Sequence, residues 1–172
     1  FDLKTSRRSY RNLRLSLAGE HQIRNAALAV CAVEALPSFP VQILDVRRGL
    51  ASTCWPGRLD EYHSRRRTLL EGAHNPEGAQ SLRTYLESRD EAEVHLVFGA
   101  LRDKDIRKMG GCLFPVARTI HLAPLSNSRT ADPETILAMF RQFAPKIRIH
   151  GSSKGALQSA WEECTNKGLV VV

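Results

Sequence analysis

The chain has 172 residues, 42% hydrophobic and 25% charged, with a formal net charge of +7. Those figures fit an ordinary soluble globular protein of one folded domain, or one domain with part of another. The longest apolar run, residues 26–33, is far short of the roughly 18 residues that read as a membrane span, so a cytoplasmic protein with no membrane partner is expected.

Residues 11–17 read R-N-L-R-L-S-L, the period-two alternation of a half-buried strand, which Gly19 breaks. A helix is predicted over 21–36, where Ile23, Ala27, Val30, Val33 and Leu36 make an apolar stripe at helical spacing. Pro37 and Pro40 end it, and a shorter helix follows over 41–50. Residues 52–56 are turn-rich, which places a domain boundary near 53–57 and divides the chain into 1–54 and 55–172. Beyond it, strands are predicted over 58–63, 67–70, 94–98, 118–122, 147–150 and 169–172. Helices are predicted over 77–88, 104–114, 132–143 and 153–166. This alternation predicts an α/β fold, a Rossmann-like, mostly parallel sheet with helices on both faces. Asp132-Pro133 fits an N-cap followed by proline at the first helical position, and Ser153 is the candidate cap of the last helix.

No G-x-G-x-x-G follows the first strand of that sheet, which disfavours a dinucleotide oxidoreductase, and no G-x-x-x-x-G-K-[ST] phosphate loop occurs. The chain opens on Phe1 and closes on G-L-V-V-V, and is read as a piece of a longer protein. Cys31, Cys54, Cys112 and Cys164 form no C-x-x-C pair and the histidines lack zinc-finger spacing. Reduced, buried or inert thiols and no metal ligands are therefore expected in this chain. Basic residues gather at 7–14 and 65–67. They read first as a solvated surface, and more sharply as an attraction for small anions. With 6% aromatic residues and no recognition motif, no nucleic-acid partner is expected.

The stretch from Trp55 to Pro76 carries the densest chemistry. Arg58 follows Pro-Gly at a strand start, where a guanidinium can hold phosphate oxygens with parallel hydrogen bonds. Glu71 ends a strand, where a carboxylate can accept from ribose hydroxyls or cap the next helix. His74 and Asn75 lie in the loop before that helix, whose first amides favour an anion. Asn25 lies four residues after His21, on the same helical face, and its amide matches an adenine edge. In F-G-A-L-R-D-K-D (98–105), Lys104 and Asp105 are candidates for substrate contact, with a helix cap the simpler account of Asp103 or Asp105. Ser126–Arg129 occupies the next strand–helix loop, on the same side of the sheet.

Taken together, G-E-H-Q-I-R-N-A-A-L-A (19–29), W-P-G-R-L-D (55–60), L-L-E-G-A-H-N-P-E-G-A (69–79), V-F-G-A-L-R-D-K-D-I (97–106) and R-T-A-D-P-E (129–134) resemble the folylpolyglutamate synthase/dihydrofolate synthase family of the Mur ligase superfamily. The resemblance runs along almost the whole chain. It implies that residues 1–54 are the tail of a central ATP-binding domain and 55–172 a C-terminal glutamate-ligase domain. It also implies a reaction. ATP phosphorylates the carboxylate of a folate or dihydropteroate, the amino group of glutamate attacks the acyl phosphate, and phosphate leaves as the amide forms. Magnesium ligands and the phosphate loop are expected in a preceding domain, so residues 1–172 alone should not turn over.

Carried over by position, Asn25 is similar to the adenine-contacting amide, Arg58 to the phosphate-contacting arginine and Glu71 to the nucleotide-binding acid. His74 stands at the family's histidine near the amino acid or phosphate. Lys104, Asp105 and Arg129 are weaker substrate-binding matches. Glu71 replaces the usual Asp, and Gln22 the usual Asn, so the reach of each side chain differs. The partners implied are small molecules (ATP, glutamate, folate or dihydropteroate), with a monomer expected. A Mur-type peptidoglycan ligase and a non-catalytic nucleotide- or nucleic-acid-binding module are the alternatives.

Overall fold

A computed structural model describes residues 1–38, 40–63, 65–89 and 93–172. The chain divides into two compact units, Phe1–Arg58 and Leu59–Val172.

The first unit pairs β1 (Leu3–Lys4) with β2 (Ser9–Tyr10) as a short antiparallel ribbon, followed by helices α1 (Glu20–Glu34) and α2 (Ile43–Ser52). Its core joins Tyr10 and Leu13 to Val30 of α1 and Val46 of α2, ringed by Phe1, Leu3, Val41 and Leu50. The strand predicted over 11–17 does not form. Asn12 takes a left-handed φ of 52°, which breaks an extended run, and Leu13 alone turns fully inward. The alternation records one buried leucine in an irregular segment. The predicted stripe of α1 is also shifted. Its buried line is Gln22, Ala26 and Val30, while Ile23 and Leu36 are exposed.

Part of the basic run at 7–14 is structural. The Arg7 guanidinium donates to the Glu34 carbonyl, and Arg8 Nη1 donates to the Val41 carbonyl at 2.9 Å. From α2, Arg47 Nη2 donates to the Arg11 carbonyl at 2.6 Å. These cations close helix ends and loops, satisfying carbonyls that lack intrahelical partners.

The second unit is a six-stranded sheet of order β3-β4-β8-β5-β6-β7. Its strands are β3 (Asp60–His63), β4 (Arg67–Leu70), β5 (Val94–Phe98), β6 (Thr119–Leu122), β7 (Ile147–Ile149) and β8 (Leu169–Val171). Only the β3–β4 hairpin is antiparallel, and the other neighbours run parallel. The crossovers carry α3 (Pro76–Glu87), α4 (Ile106–Leu113), α5 (Pro133–Met139) and α6 (Ser153–Glu163).

Strand alternation sorts the two faces. Val97 and Val170 face α6, where Ala156 and Ala160 have no exposed surface and let the helix lie close. Phe98 faces the other way and meets Phe114, which follows α4, edge-on at 5.3 Å. Phe114 also packs on Phe140 and Phe143. Helices thus flank both faces of a mostly parallel sheet, as the alternation predicts.

Caps fix the helix starts. Asp132 accepts from Thr135 N–H with Pro133 at the first position, as expected. The cap of α6 is Ser152 rather than Ser153: Ser152 Oγ accepts from Gly155 N–H, and Ser153 Oγ donates to the Pro124 carbonyl. All four cysteines are free thiols: Cys164 is buried, Cys112 half-buried, and Cys31 and Cys54 are exposed. Among the described residues no helix is long and apolar enough to cross a membrane.

Candidate functional site

Because β4, β5, β6 and β7 run parallel, the segments that leave their carboxyl ends lie along one edge of the sheet. Residues 71–75, 99–105, 123–132 and 150–152 fill that edge, where open α/β sheets place ligands.

The first loop is held by its own polar groups. The Glu71 carboxylate accepts from Leu59 N–H at 2.8 Å. Leu59 is buried with a left-handed φ of 48°, uncommon for a leucine, so Glu71 stabilises a backbone turn that sequence reading did not assign to it. Glu71→Ala is expected to lower stability by about 2 kcal/mol, because a buried amide loses a charged acceptor. Glu71→Gln, which keeps a carbonyl oxygen, should lose less. Urea unfolding midpoints check both, and an unchanged midpoint in the alanine variant would contradict the assignment.

His74 is exposed, with Nδ1 2.9 Å from the Gly72 carbonyl oxygen. A carbonyl only accepts, so Nδ1 carries the proton there, and in the neutral ring it is Nε2 that presents the lone pair. Asn75 is the N-cap of α3: its Oδ1 accepts from Gly78 N–H at 2.7 Å, with Pro76 at the first position.

The second and third loops are laced together. Leu101 bridges Thr130, Arg102 N–H donates to the Arg129 carbonyl at 2.9 Å, and Arg102 Nη2 reaches the Ser128 carbonyl at 2.8 Å. Asp103 lies between two cations, 3.3 Å from Lys104 Nζ and 3.8 Å from Arg129 Nη1. The bonded Lys104 ammonium holds its carboxyl below the usual range. Gly99 permits the approach: a Cβ there would meet the Ala123 carbonyl oxygen at 2.8 Å. Asp105 is occupied as the N-cap of α4, accepting from Lys108 N–H at 3.1 Å. Lys104 and Arg129 are therefore brought together, and Asp105 faces its own helix.

Asn25 and Arg58 belong to the first unit. Asn25 is exposed on α1, and its amide nitrogen donates to Gln22 Oε1 at 3.0 Å, which leaves the pair's remaining amide groups for a ligand edge. Arg58 follows Gly57, whose φ of 72° makes the Pro-Gly turn before the hairpin.

Sequence reading missed a hollow of about 400 Å³ at the ends of β6 and β7, lined by Thr130, Pro133, Ile149 and His150 among others. It also missed two buried histidines, His95 and His121, whose signal was a polar residue at alternate positions of otherwise apolar strands. Among the described residues, the groups close enough to share a metal are Glu93–His95–Cys164 and His95–His121–Glu163. Both include imidazole, one of them thiol, whereas Mg²⁺ takes oxygen ligands. Neither fits Mg²⁺.

The family described as Mur ligase, glutamate ligase domain matches residues 57–172. The chain belongs to this family. Its relatives include the dihydrofolate synthase/folylpolyglutamate synthase of Bacillus subtilis, 35% identical over 76% of this chain and 31% of that protein. The probable bifunctional folylpolyglutamate synthase/dihydropteroate synthase of Haloferax volcanii is 34% identical over 87% of this chain and 18% of that protein. The Mur ligase chain spans a third or less of these curated relatives. Among solved structures, Mycobacterium tuberculosis folylpolyglutamate synthase complexed with ADP superposes with a TM-score of 0.88 at 29% identity, over 95% of this chain and 39% of that one. Escherichia coli FolC in complex with ADP gives 0.85 at 28% identity, over 98% and 39%. A Caulobacter vibrioides UDP-N-acetylmuramoyl-L-alanyl-D-glutamate–2,6-diaminopimelate ligase is 27% identical over 87% of this chain.

Proposed function

We propose that this chain is the C-terminal portion of an ATP-dependent ligase that joins L-glutamate to dihydropteroate or folate through an acyl phosphate. The observation that carries this reading is the run of folylpolyglutamate and dihydrofolate synthase relatives along the chain, with motif-bearing loops on one edge of a parallel sheet. Residues 1–54 are the tail of the central ATP-binding domain, and residues 55–172 the glutamate-ligase domain. The enzyme acts on small molecules as a cytoplasmic monomer.

Bound ATP supplies the phosphoryl group that activates the carboxylate. Toward it this chain offers the exposed Asn25 amide for the adenine edge, Arg58 for phosphate oxygens and Glu71 for the nucleotide. His74, with Nε2 as the base in its neutral form, serves the incoming amine or the acyl phosphate. Lys104 and Arg129, held beside Asp103, supply positive charge for the anionic substrates, with Asp105 capping the helix that follows. Positioning and charge neutralisation carry most of such a reaction. Mg²⁺ is held by ligands outside this chain.

In the parent enzyme, Arg58→Ala is expected to cut glutamate-dependent ADP release by about 10²-fold, in line with the loss of one charged donor to a transferring group. Steady-state ADP release measures it, and unaltered kcat/KM would remove Arg58 from the site. The Caulobacter relative keeps a second reading in play, a Mur-type ligase acting on a UDP-muramoyl peptide.

A further inference from the structure

On the opposite, amino-terminal edge of the sheet a second set of groups converges. Glu93 immediately precedes β5, His95 is its second residue, and Cys164 ends α6 before β8. We propose that Glu93, His95 and Cys164 form a binding site for a zinc-class divalent cation.

Three observations carry this. First, the donors have the right kinds and spacing. Carboxylate oxygen, imidazole nitrogen and thiolate sulfur are the zinc ligand types, and bonds of about 2.0–2.3 Å put tetrahedral neighbours roughly 3.3–3.7 Å apart. His95 Nε2 lies 3.5 Å from Glu93 Oε1, and the three donor atoms lie within 4.8 Å of one another.

Second, His95 is 1% exposed, yet its Nε2 has no hydrogen-bond partner. Its other nitrogen is fully engaged. Nδ1 lies 2.7 Å from Thr119 Oγ1, which lies 3.0 Å from His121 Nε2, and His121 Nδ1 lies 3.1 Å from His150 Nε2. Run outward, Nδ1–H donates to the hydroxyl, the hydroxyl to His121, and His121 to His150. With the protons in that order His95 Nε2 presents a lone pair to the Glu93 carboxylate, an arrangement a cation between them relieves. In the reverse order Nε2–H faces Glu93 Oε1 at 3.5 Å, and a cation takes the place of that proton. The Nδ1 contact is the outer-shell bond that orients a metal-binding imidazole.

Third, the chain makes room. A Cβ on Gly168 would stand 2.7 Å from Cys164 Sγ and 2.8 Å from Glu93 Cγ. Glu93 is positioned independently by Thr165 N–H at 2.8 Å and by Arg118 Nε at 3.2 Å. The ligands come from segments far apart in sequence, so motif spacing does not reveal them. Binding replaces the S–H bond by a metal–sulfur bond, and the thiol proton leaves to solvent. With three protein donors, the fourth position falls to water.

The test is cobalt titration of the full chain in its parent enzyme, with Cys31, Cys54 and Cys112 changed to serine. One equivalent of Co²⁺ should give a thiolate-to-cobalt charge-transfer band, released by Zn²⁺. Cys164→Ser should abolish the band, and Glu93→Gln, at a less buried ligand, should weaken binding at least tenfold. Circular dichroism confirms that each variant is folded. Absence of the band, or a band that survives Cys164→Ser, would overturn the site.

Discussion

Phe114→Ala is expected to destabilise the Leu59–Val172 unit by about 3–5 kcal/mol, the range for emptying a buried aromatic site. Phe114 has no exposed surface, and three rings converge on it: Phe98 edge-on at 5.3 Å, Phe140 tilted at 4.6 Å and Phe143 edge-on at 6.1 Å. Such pairs add about 0.5–1.5 kcal/mol each beyond area burial. The neighbours cannot collapse inward freely, because Phe98 is fixed in the central strand β5 and a Cβ on Gly110 would already stand 2.5 Å from Phe140. Phe114→Leu fills more of the space and should lose less than half as much. Urea or thermal unfolding of both variants measures this. A loss below about 1 kcal/mol for the alanine variant would contradict the packing described.

The second large effect is on acid stability. His121 is fully buried, and burial, reinforced by neighbouring His150, lowers its pKa to about 4. The groups around it are His150, His95, Thr119, Arg148 and the Glu163 carboxylate, which acts on His150 in the opposite sense. The folded pKa lies below the unfolded value of about 6.5, so the folded state prefers neutral imidazole. Above pH 6.5 both states are neutral and the contribution is complete. As pH falls from 6.5 to 4, the unfolded chain takes a proton that the folded chain refuses, and about 3 kcal/mol is lost. Below 4 the group contributes nothing further. His150, also lowered by burial, acts in the same direction. Carboxylates begin to titrate at the bottom of this window, so the decisive comparison is with His121→Gln. Its stability should fall much less steeply between pH 6.5 and 4 than that of the natural chain. Parallel slopes would contradict the buried neutral histidine.

Most of the sheet was legible because its strands are short apolar runs separated by helices with caps. Val94–Phe98 and Arg67–Leu70 coincide with the ranges predicted, and Asp132-Pro133 marks its helix start. The first unit was less legible. Its strands have two residues each, too few to show a period, while residues 12–17 alternate without a partner strand. The position of α1's buried line was hidden because Gln22, a polar residue, lies on it. In the candidate site, sequence singled out loops that the fold places along one edge of the sheet. It did not reveal that Glu71 holds Leu59 N–H, because a left-handed leucine carries no signature. The Glu93–His95–Cys164 cluster was invisible for a similar reason, since only the fold brings those residues together.

For the proposed glutamate ligase of folate metabolism, the most direct test is substrate-dependent ADP release by the parent enzyme. ADP release should require both L-glutamate and dihydropteroate or a folate, and should be absent with UDP-muramoyl peptides. Release supported by a UDP-muramoyl peptide, or indifferent to glutamate, would contradict it.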